Sequence, residues 1–110
     1  MSAARTRDQS GVQSAAQVLD VLDLLFRADY THGASPGEIS RELGITPASM
    51  TRYIATLLDR GAIEAIPSGH ITRYRPSVRW GRYAAGILRS LDDSARRIDE
   101  LKTRITTPLD

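Results

Sequence analysis

The sequence predicts a mainly α fold with a small β-hairpin: a winged helix-turn-helix followed by one long C-terminal helix. Three observations predict it. Residues 44–61, GITPASMTRYIATLLDRG, read as a helix whose start and stop are both written in the chain. After Gly61 the period changes, and the residues alternate loosely around Pro67-Ser68-Gly69 as a hairpin does. From Val78 to about Thr106 no proline interrupts a sustained apolar heptad pattern.

The elements follow in order. Residues 1–11 are small and polar without periodicity and are expected to form a disordered arm. Helix one is expected from Val12 or Ser14 to Arg27. Ala15, Val18, Leu19, Leu22, Leu25 and Phe26 line one side, with Gln17, Asp20 and Asp23 on the other. A polar loop, Ala28–Ala34, contains Gly33. Ser35-Pro36-Gly37-Glu38 then supplies an N-cap, a proline at the first helical position and a glutamate at the third, a capping-box arrangement. Helix two runs to Leu43 with Ile39 and Leu43 inward, and Gly44 makes the turn. In the next helix Thr46 caps the N-terminus, and Pro47 takes the first position, where its missing N–H costs nothing. Gly61 suits the left-handed residue that ends it. Met50, Ile54, Leu57 and Leu58 form its buried stripe. Two helices joined by a short glycine turn make a helix-turn-helix. Ala62–Ile66 and His70–Arg75 make the wing. The expected division is an arm over 1–11, a winged helix-turn-helix over 12–77 and a long helix over 78–107.

Composition narrows the function classes. At 110 residues, with 41% apolar and 25% charged, the chain is one ordinary globular domain plus at most an appended element. It has no run of about 18 apolar residues that would cross a membrane. The opening MSAARTRDQSGVQ lacks the apolar core of a secretory signal. The lack of cysteine excludes disulfides and thiolate metal sites and fits the cytoplasm. His32 and His70 fall in a loop and in the wing, each without a second ligand at metal spacing. Neither Ser35 nor Ser49 has a base placed beside it, and phosphate-cradling glycine loops are missing. No catalytic centre, metal or cofactor is expected.

The distribution of charge says more than the net value of +2. Between residues 41 and 89 lie eight arginines (41, 52, 60, 73, 75, 79, 82 and 89) against Glu42, Asp59 and Glu64. Between residues 13 and 38, Arg27 stands alone against Asp20, Asp23, Asp29 and Glu38. Positive charge therefore collects on the segment holding the second helix of the helix-turn-helix, the footprint of a phosphate-binding face. The outward residues of that helix are Ala48, Ser49, Thr51, Arg52, Ala55 and Thr56. They are small, hydroxylated and carry one arginine, with no carboxylate before Asp59. Such a face enters a major groove without steric or charge conflict, whereas a merely solvated face more often carries Glu and Lys.

Candidate contacts to double-stranded DNA follow from that face. Arg52 is placed for guanine O6/N7, and Ser49, Thr51 and Thr56, with Thr46 beside them, for base edges or phosphates. Tyr53 either flanks a phosphate or packs on the core. Arg73, Arg75 and His70 would serve the wing, and Arg41 and Arg79 would clamp the backbone. For the wing arginines the alternative is a solvated hairpin with no contacts.

Residues from about Val12 to Gly81 resemble the N-terminal winged-helix domain of the IclR family of bacterial transcriptional regulators. The resemblance is carried by GVQSAAQVLDVLDLL, SPGEISRELGI, TRYIATLLDRGAIE and the Tyr74-Arg75 strand. It implies a DNA-binding regulator, with the residues matching Ser49, Thr51 and Arg52 facing DNA. Pro47 occupies a position that is often basic in the family, and Ala48 one that is often a small hydroxyl. The family's C-terminal effector-binding domain has no counterpart, so no small-molecule effector is expected.

In its place stands the long helix. With Ala84 at heptad position a, the a positions hold Ala84, Leu91, Ile98 and Ile105, and the d positions Trp80, Ile87, Ser94 and Leu101. Asp92–Arg96, Asp93–Arg97 and Glu100–Arg104 are i,i+4 pairs in the favourable order. About 26 residues extend about 39 Å, more than a wing-sized domain covers. The expectation is a homodimer joined through Trp80, Ala84, Ile87, Leu91, Ile98, Leu101 and Ile105. Such a dimer lays two recognition helices on an inverted repeat and represses transcription from the nucleoid. Two alternatives remain from sequence: a winged-helix adaptor that binds protein rather than DNA, or the DNA-binding piece of a longer metabolite-responsive regulator.

Overall fold

A computed structural model describes residues 3–109, with side chains from residue 11 onward. It contains α1 (Ala3–Arg27), α2 (Pro36–Leu43), α3 (Pro47–Asp59), β1 (Ile63–Ile66), β2 (Arg73–Pro76) and α4 (Arg79–Thr106). The backbone divides into two compact units, residues 1–77 and 78–110.

In the first unit α1 packs on α2 and β2, α2 on α3, and α3 on β1. Its helical backbone begins at Ala3, ahead of the expected start and through the stretch read as a disordered arm. No proline stops it there, and Gly11 alone costs about 1 kcal/mol as an interior glycine. The side chains of Arg5 and Arg7 lie outside the described residues. Val21 and Leu25 are the α1 residues fully in the core, joined by Ile39, Ile45, Met50, Tyr53, Ile54, Leu57, Ala34 and Ile63. Leu19 and Phe26, expected inward, are more than half exposed. Apolar residues cover more of the α1 circumference than the small domain can bury.

The caps form as local chemistry dictates. Ser35 Oγ accepts from the Glu38 N–H at 3.2 Å and donates to Glu38 Oε1 at 3.0 Å. Thr46 Oγ1 accepts from the Ser49 N–H at 3.2 Å, with Pro47 at the first position. At the other end of α3, Gly61 takes φ 71°. Its N–H donates to Leu58 O at 3.0 Å, and that of Ala62 to Leu57 O at 2.8 Å, a Schellman closure.

β1 and β2 pair antiparallel with Ile63 opposite Pro76 and Glu64 opposite Arg75. A one-residue bridge extends this hairpin: Ala34 and Tyr74 exchange backbone hydrogen bonds of 3.0 and 2.8 Å. The bridge fixes the loop between α1 and α2 to the wing. Gly33 (φ 63°) sits so close to Tyr74 that a Cβ would run into the Tyr74 carbonyl.

The second unit is α4, a 28-residue helix about 42 Å long. None of its residues is buried. Ile87, Leu91, Ile98, Leu101 and Ile105 are all more than half exposed. Asp93 pairs with Arg96 at i+3, 2.6 Å, rather than with Arg97, whose Nε donates to the Asp93 backbone carbonyl at 3.4 Å.

Candidate nucleic-acid interface

α3 presents its outer face by exclusion: Met50, Ile54 and Leu57 occupy the core, leaving Ala48, Thr51, Arg52, Ala55 and Thr56 exposed and Ser49 half-buried. Leu58, expected in the buried stripe, is 39% exposed, and Tyr53 takes the inner position instead at 7%. Spacing explains the exchange. Positions 50, 53, 54 and 57 share one helical face, and Leu58 lies at its edge.

The polar groups on this face bond mainly to one another. Thr51 Oγ1 donates to the Pro47 carbonyl at 3.0 Å. Arg52 Nη2 donates to Ser49 Oγ at 3.3 Å, and its guanidinium lies 5.9 Å from the Tyr53 ring centre. These neighbours are neutral, so the full charge of Arg52 stays available to an anion. Thr56 is exposed on the next turn, while Thr46 is exposed at the cap with its hydroxyl engaged by Ser49. Arg41 lies exposed in the last turn of α2, and His70 is exposed in the hairpin turn.

Three of the expected contact residues have partners within the first unit. Tyr53, read from sequence as either a phosphate flank or a core residue, packs in the core, with its hydroxyl donating to Gln17 Oε1 on α1 at 2.6 Å. Arg73 turns inward. Its Nε donates to the His32 carbonyl at 2.9 Å, Nη2 to the Gly33 carbonyl at 3.3 Å, and Nη1 pairs with Glu38 Oε1 at 2.6 Å. Arg75 pairs with Glu64 across the hairpin at 2.9 Å, its guanidinium 4.8 Å from the Tyr30 ring centre. Both wing arginines are therefore neutralised by carboxylates within the first unit and hold the hairpin together. Arg79 opens α4, in the second unit, and is exposed.

The partners Gln17, Tyr30, Glu38 and Glu64 were not singled out from sequence as parts of this surface. Glu64 is the recoverable one, because the hairpin register puts it opposite Arg75. Hydrogen bonding from Arg73 holds the Glu38 carboxyl below its ordinary value, with the Ser35 hydroxyl adding to the effect.

Between α1 and α3 runs an open groove of about 810 Å³, lined by Ser14, Ala15, Val18, Leu19, Arg52, Tyr53, Ala55 and Thr56. It contains no carboxylate or histidine. Among the described residues no group of three His, Cys, Asp or Glu side chains is gathered as metal ligands would be. None of the described helices is long and apolar enough to cross a membrane.

Residues 14–67 match the IclR helix-turn-helix domain. Among curated proteins no sequence matches the chain. Two solved structures share the architecture. The peroxide stress regulator of Campylobacter jejuni is 23% identical with a TM-score of 0.51, over 69% of this chain and 58% of its own. The homodimeric winged helix-turn-helix DNA-binding domain of Mycobacterium bovis Mb0332, a possible ArsR-family transcriptional regulator, is 18% identical with a TM-score of 0.52. That match covers 81% of this chain and 87% of the other. At these identities the likeness concerns the fold.

Proposed function

We propose, from the premise that residues 14–67 are an IclR-type helix-turn-helix domain, that this DNA-binding transcription regulator acts as a homodimeric repressor on an inverted repeat. The observation that carries the reading is the exposed face of α3. It offers an unneutralised arginine among small and hydroxylated residues, with no acid before Asp59. Arg52 reads guanine, and Ser49, Thr51 and Thr56 meet base edges or phosphates, with Thr46 beside them. Arg41, His70 and Arg79 contact the DNA backbone.

One small module makes few phosphate contacts, and affinity built on them falls steeply with salt. Two joined modules gain through effective concentration and read half-sites about one helical turn apart. The stripe of α4, exposed at Ala84, Ile87, Leu91, Ile98, Leu101 and Ile105 and half-buried at Trp80, supports joining two copies. The protein then works on the nucleoid in the cytoplasm.

The test is fluorescence anisotropy of the wild type and Arg52→Ala on DNA from upstream of the gene and on random duplex, across a salt series. Wild type is expected to prefer the upstream DNA, and Arg52→Ala to keep only weak, salt-sensitive binding. If neither protein binds at low salt, the DNA reading falls, and the winged helix serves as a protein adaptor instead.

A further inference from the structure

The stripe of α4 is uneven along its length in two respects. Ala84 and Ser94 are small, whereas Trp80, Ile87, Leu91, Ile98, Leu101 and Ile105 are large. The flanks of the stripe are charged at one end only. The e positions hold Gly81, Leu88, Ala95 and Lys102, and the g positions Tyr83, Ser90, Arg97 and Arg104. Every flanking charge is thus basic and lies in the C-terminal half. Among the described residues none of the three cations is paired with a carboxylate. Charges at e and g decide which helices pair, and in which direction.

Two copies of α4 meet different neighbours in the two directions. In a parallel pair each a or d residue packs on itself, and each g residue faces the e residue five positions on. Arg97 then faces Lys102 twice per dimer, and Ser94 is buried against Ser94. Ala84 on Ala84 leaves a thin layer, while two Trp80 side chains crowd another. In an antiparallel pair a packs on d, g faces g and e faces e. With the stripes fully overlapped, Ala84 packs on Leu101, Leu91 on Ser94, Ile87 on Ile98 and Trp80 on Ile105. Each small residue meets a large one, the condition for even layers. On the flanks Ser90 faces Arg97, Gly81 faces Lys102, and Leu88, 61% exposed, faces Ala95. Tyr83, 55% exposed, offers its ring to the Arg104 guanidinium. No like charges meet.

We infer that α4 pairs antiparallel with α4 of a second copy of this chain, in the register that sets Ile87 of one against Ile98 of the other. The inference rests on the homodimer reading above and specifies its direction. Such a pairing is isologous, each contact occurring twice about a two-fold axis, and so closes as a dimer. It also sets a span. The two α4 helices begin at opposite ends of the pair, about 40 Å apart, whereas in a parallel pair they would start side by side about 10 Å apart. Half-sites one helical turn apart have centres about 34 Å from one another. The antiparallel pair supplies a span of that order within α4 itself.

The chain has no cysteine, so introduced thiols report contacts without background. A tagged copy of the whole chain carrying Ile87→Cys is mixed with an untagged copy carrying Ile98→Cys, and the mixture is mildly oxidised. The mixed link is expected to predominate. Like positions lie about 16 Å apart along the antiparallel pair, beyond the disulfide reach of about 7 Å between Cα atoms. In sedimentation at low salt, Ser90→Glu is expected to lower the dimer dissociation constant about fivefold, since it faces Arg97 twice per dimer. Adding Arg97→Gln is expected to abolish that gain. If each cysteine variant links only to its own kind and Ser90→Glu dimerises like wild type, the helices run parallel. The inference is then overturned and the homodimer reading stands. If neither link forms while the chain stays dimeric, another surface joins the copies and the α4 pairing is overturned. A wild type that sediments as a monomer overturns the homodimer reading with it.

Discussion

Arg73 on β2 grips Glu38 at the first turn of α2, Nη1 to Oε1 at 2.6 Å, and so ties the wing to the helix-turn-helix. The same guanidinium donates to the carbonyls of His32 and Gly33, which sit in the loop between α1 and α2. One side chain thus joins the wing to a loop and a helix start that lie 35 to 41 positions away.

Arg73→Ala is expected to destabilise the fold by about 1–2 kcal/mol. It removes charge-assisted hydrogen bonds, partly offset by solvent at side chains that are 25% and 45% exposed. The salt dependence of DNA binding should stay as in wild type, because the arginine is already neutralised by Glu38. Denaturant unfolding alongside anisotropy checks both. A reduced salt slope with unchanged stability would return Arg73 to the DNA contacts.

Glu38 makes stability depend on pH in a defined direction. Its carboxyl is held below the ordinary glutamate value of 4.5, chiefly by hydrogen bonding from Arg73. A depressed folded value means that the contribution is fully present above the unfolded value, near 4.5, and is lost as pH falls through the folded one. Asp29, also lowered, chiefly by the Thr31 hydroxyl, acts in the same sense. Thermal melts of wild type and Glu38→Gln are expected to differ most at neutral pH and to converge only as pH falls through the lowered Glu38 value, beneath the ordinary 4.5. Parallel curves through that range would sink the assignment.

Gly33 is where the loop and wing backbones come closest. A Cβ there meets the Tyr74 carbonyl, and φ 63° is strained for any L side chain. Gly33→Ala is expected to cost about 2–3 kcal/mol, combining left-handed strain with backbone displacement at the Ala34–Tyr74 bridge. At Gly69 φ is similar, 62°, but the space is open. Gly69→Ala should cost only the strain, about 1 kcal/mol. Equal melting temperatures for the two variants would show that the close approach carries no energy.

What could be read from sequence divides by the range of the forces involved. α2 and α3 are legible because Ser35, Pro36, Thr46, Pro47 and Gly61 act within a few residues of the ends they define. The outward set on α3 is legible because it is the complement of an apolar period. The fate of Arg73 is not, since its carboxylate lies 35 positions away and alternation in the hairpin says only which face it shares. In α1 the apolar residues exceed what the core takes. The expected stripe therefore includes Leu19 and Phe26, which are exposed, and omits Val21, which is fully buried.

Tyr53 is the residue on which periodicity alone is undecided, and its hydroxyl offers a clean test. The ring is buried against the core while the hydroxyl donates to Gln17 Oε1 at 2.6 Å, joining α3 to α1. Tyr53→Phe keeps the ring and deletes the bond. The expected loss is about 0.5–1.5 kcal/mol, toward the lower end because half-buried Gln17 can turn to water. Gln17→Ala should cost a similar amount through the same bond. The double variant should then lose less than the two single losses added, since one hydrogen bond cannot be removed twice. DNA affinity measured at fixed salt should be unchanged in Tyr53→Phe. A drop in affinity with full stability would mean that the hydroxyl leaves Gln17 to meet a phosphate, and that α3 shifts on α1 when DNA binds.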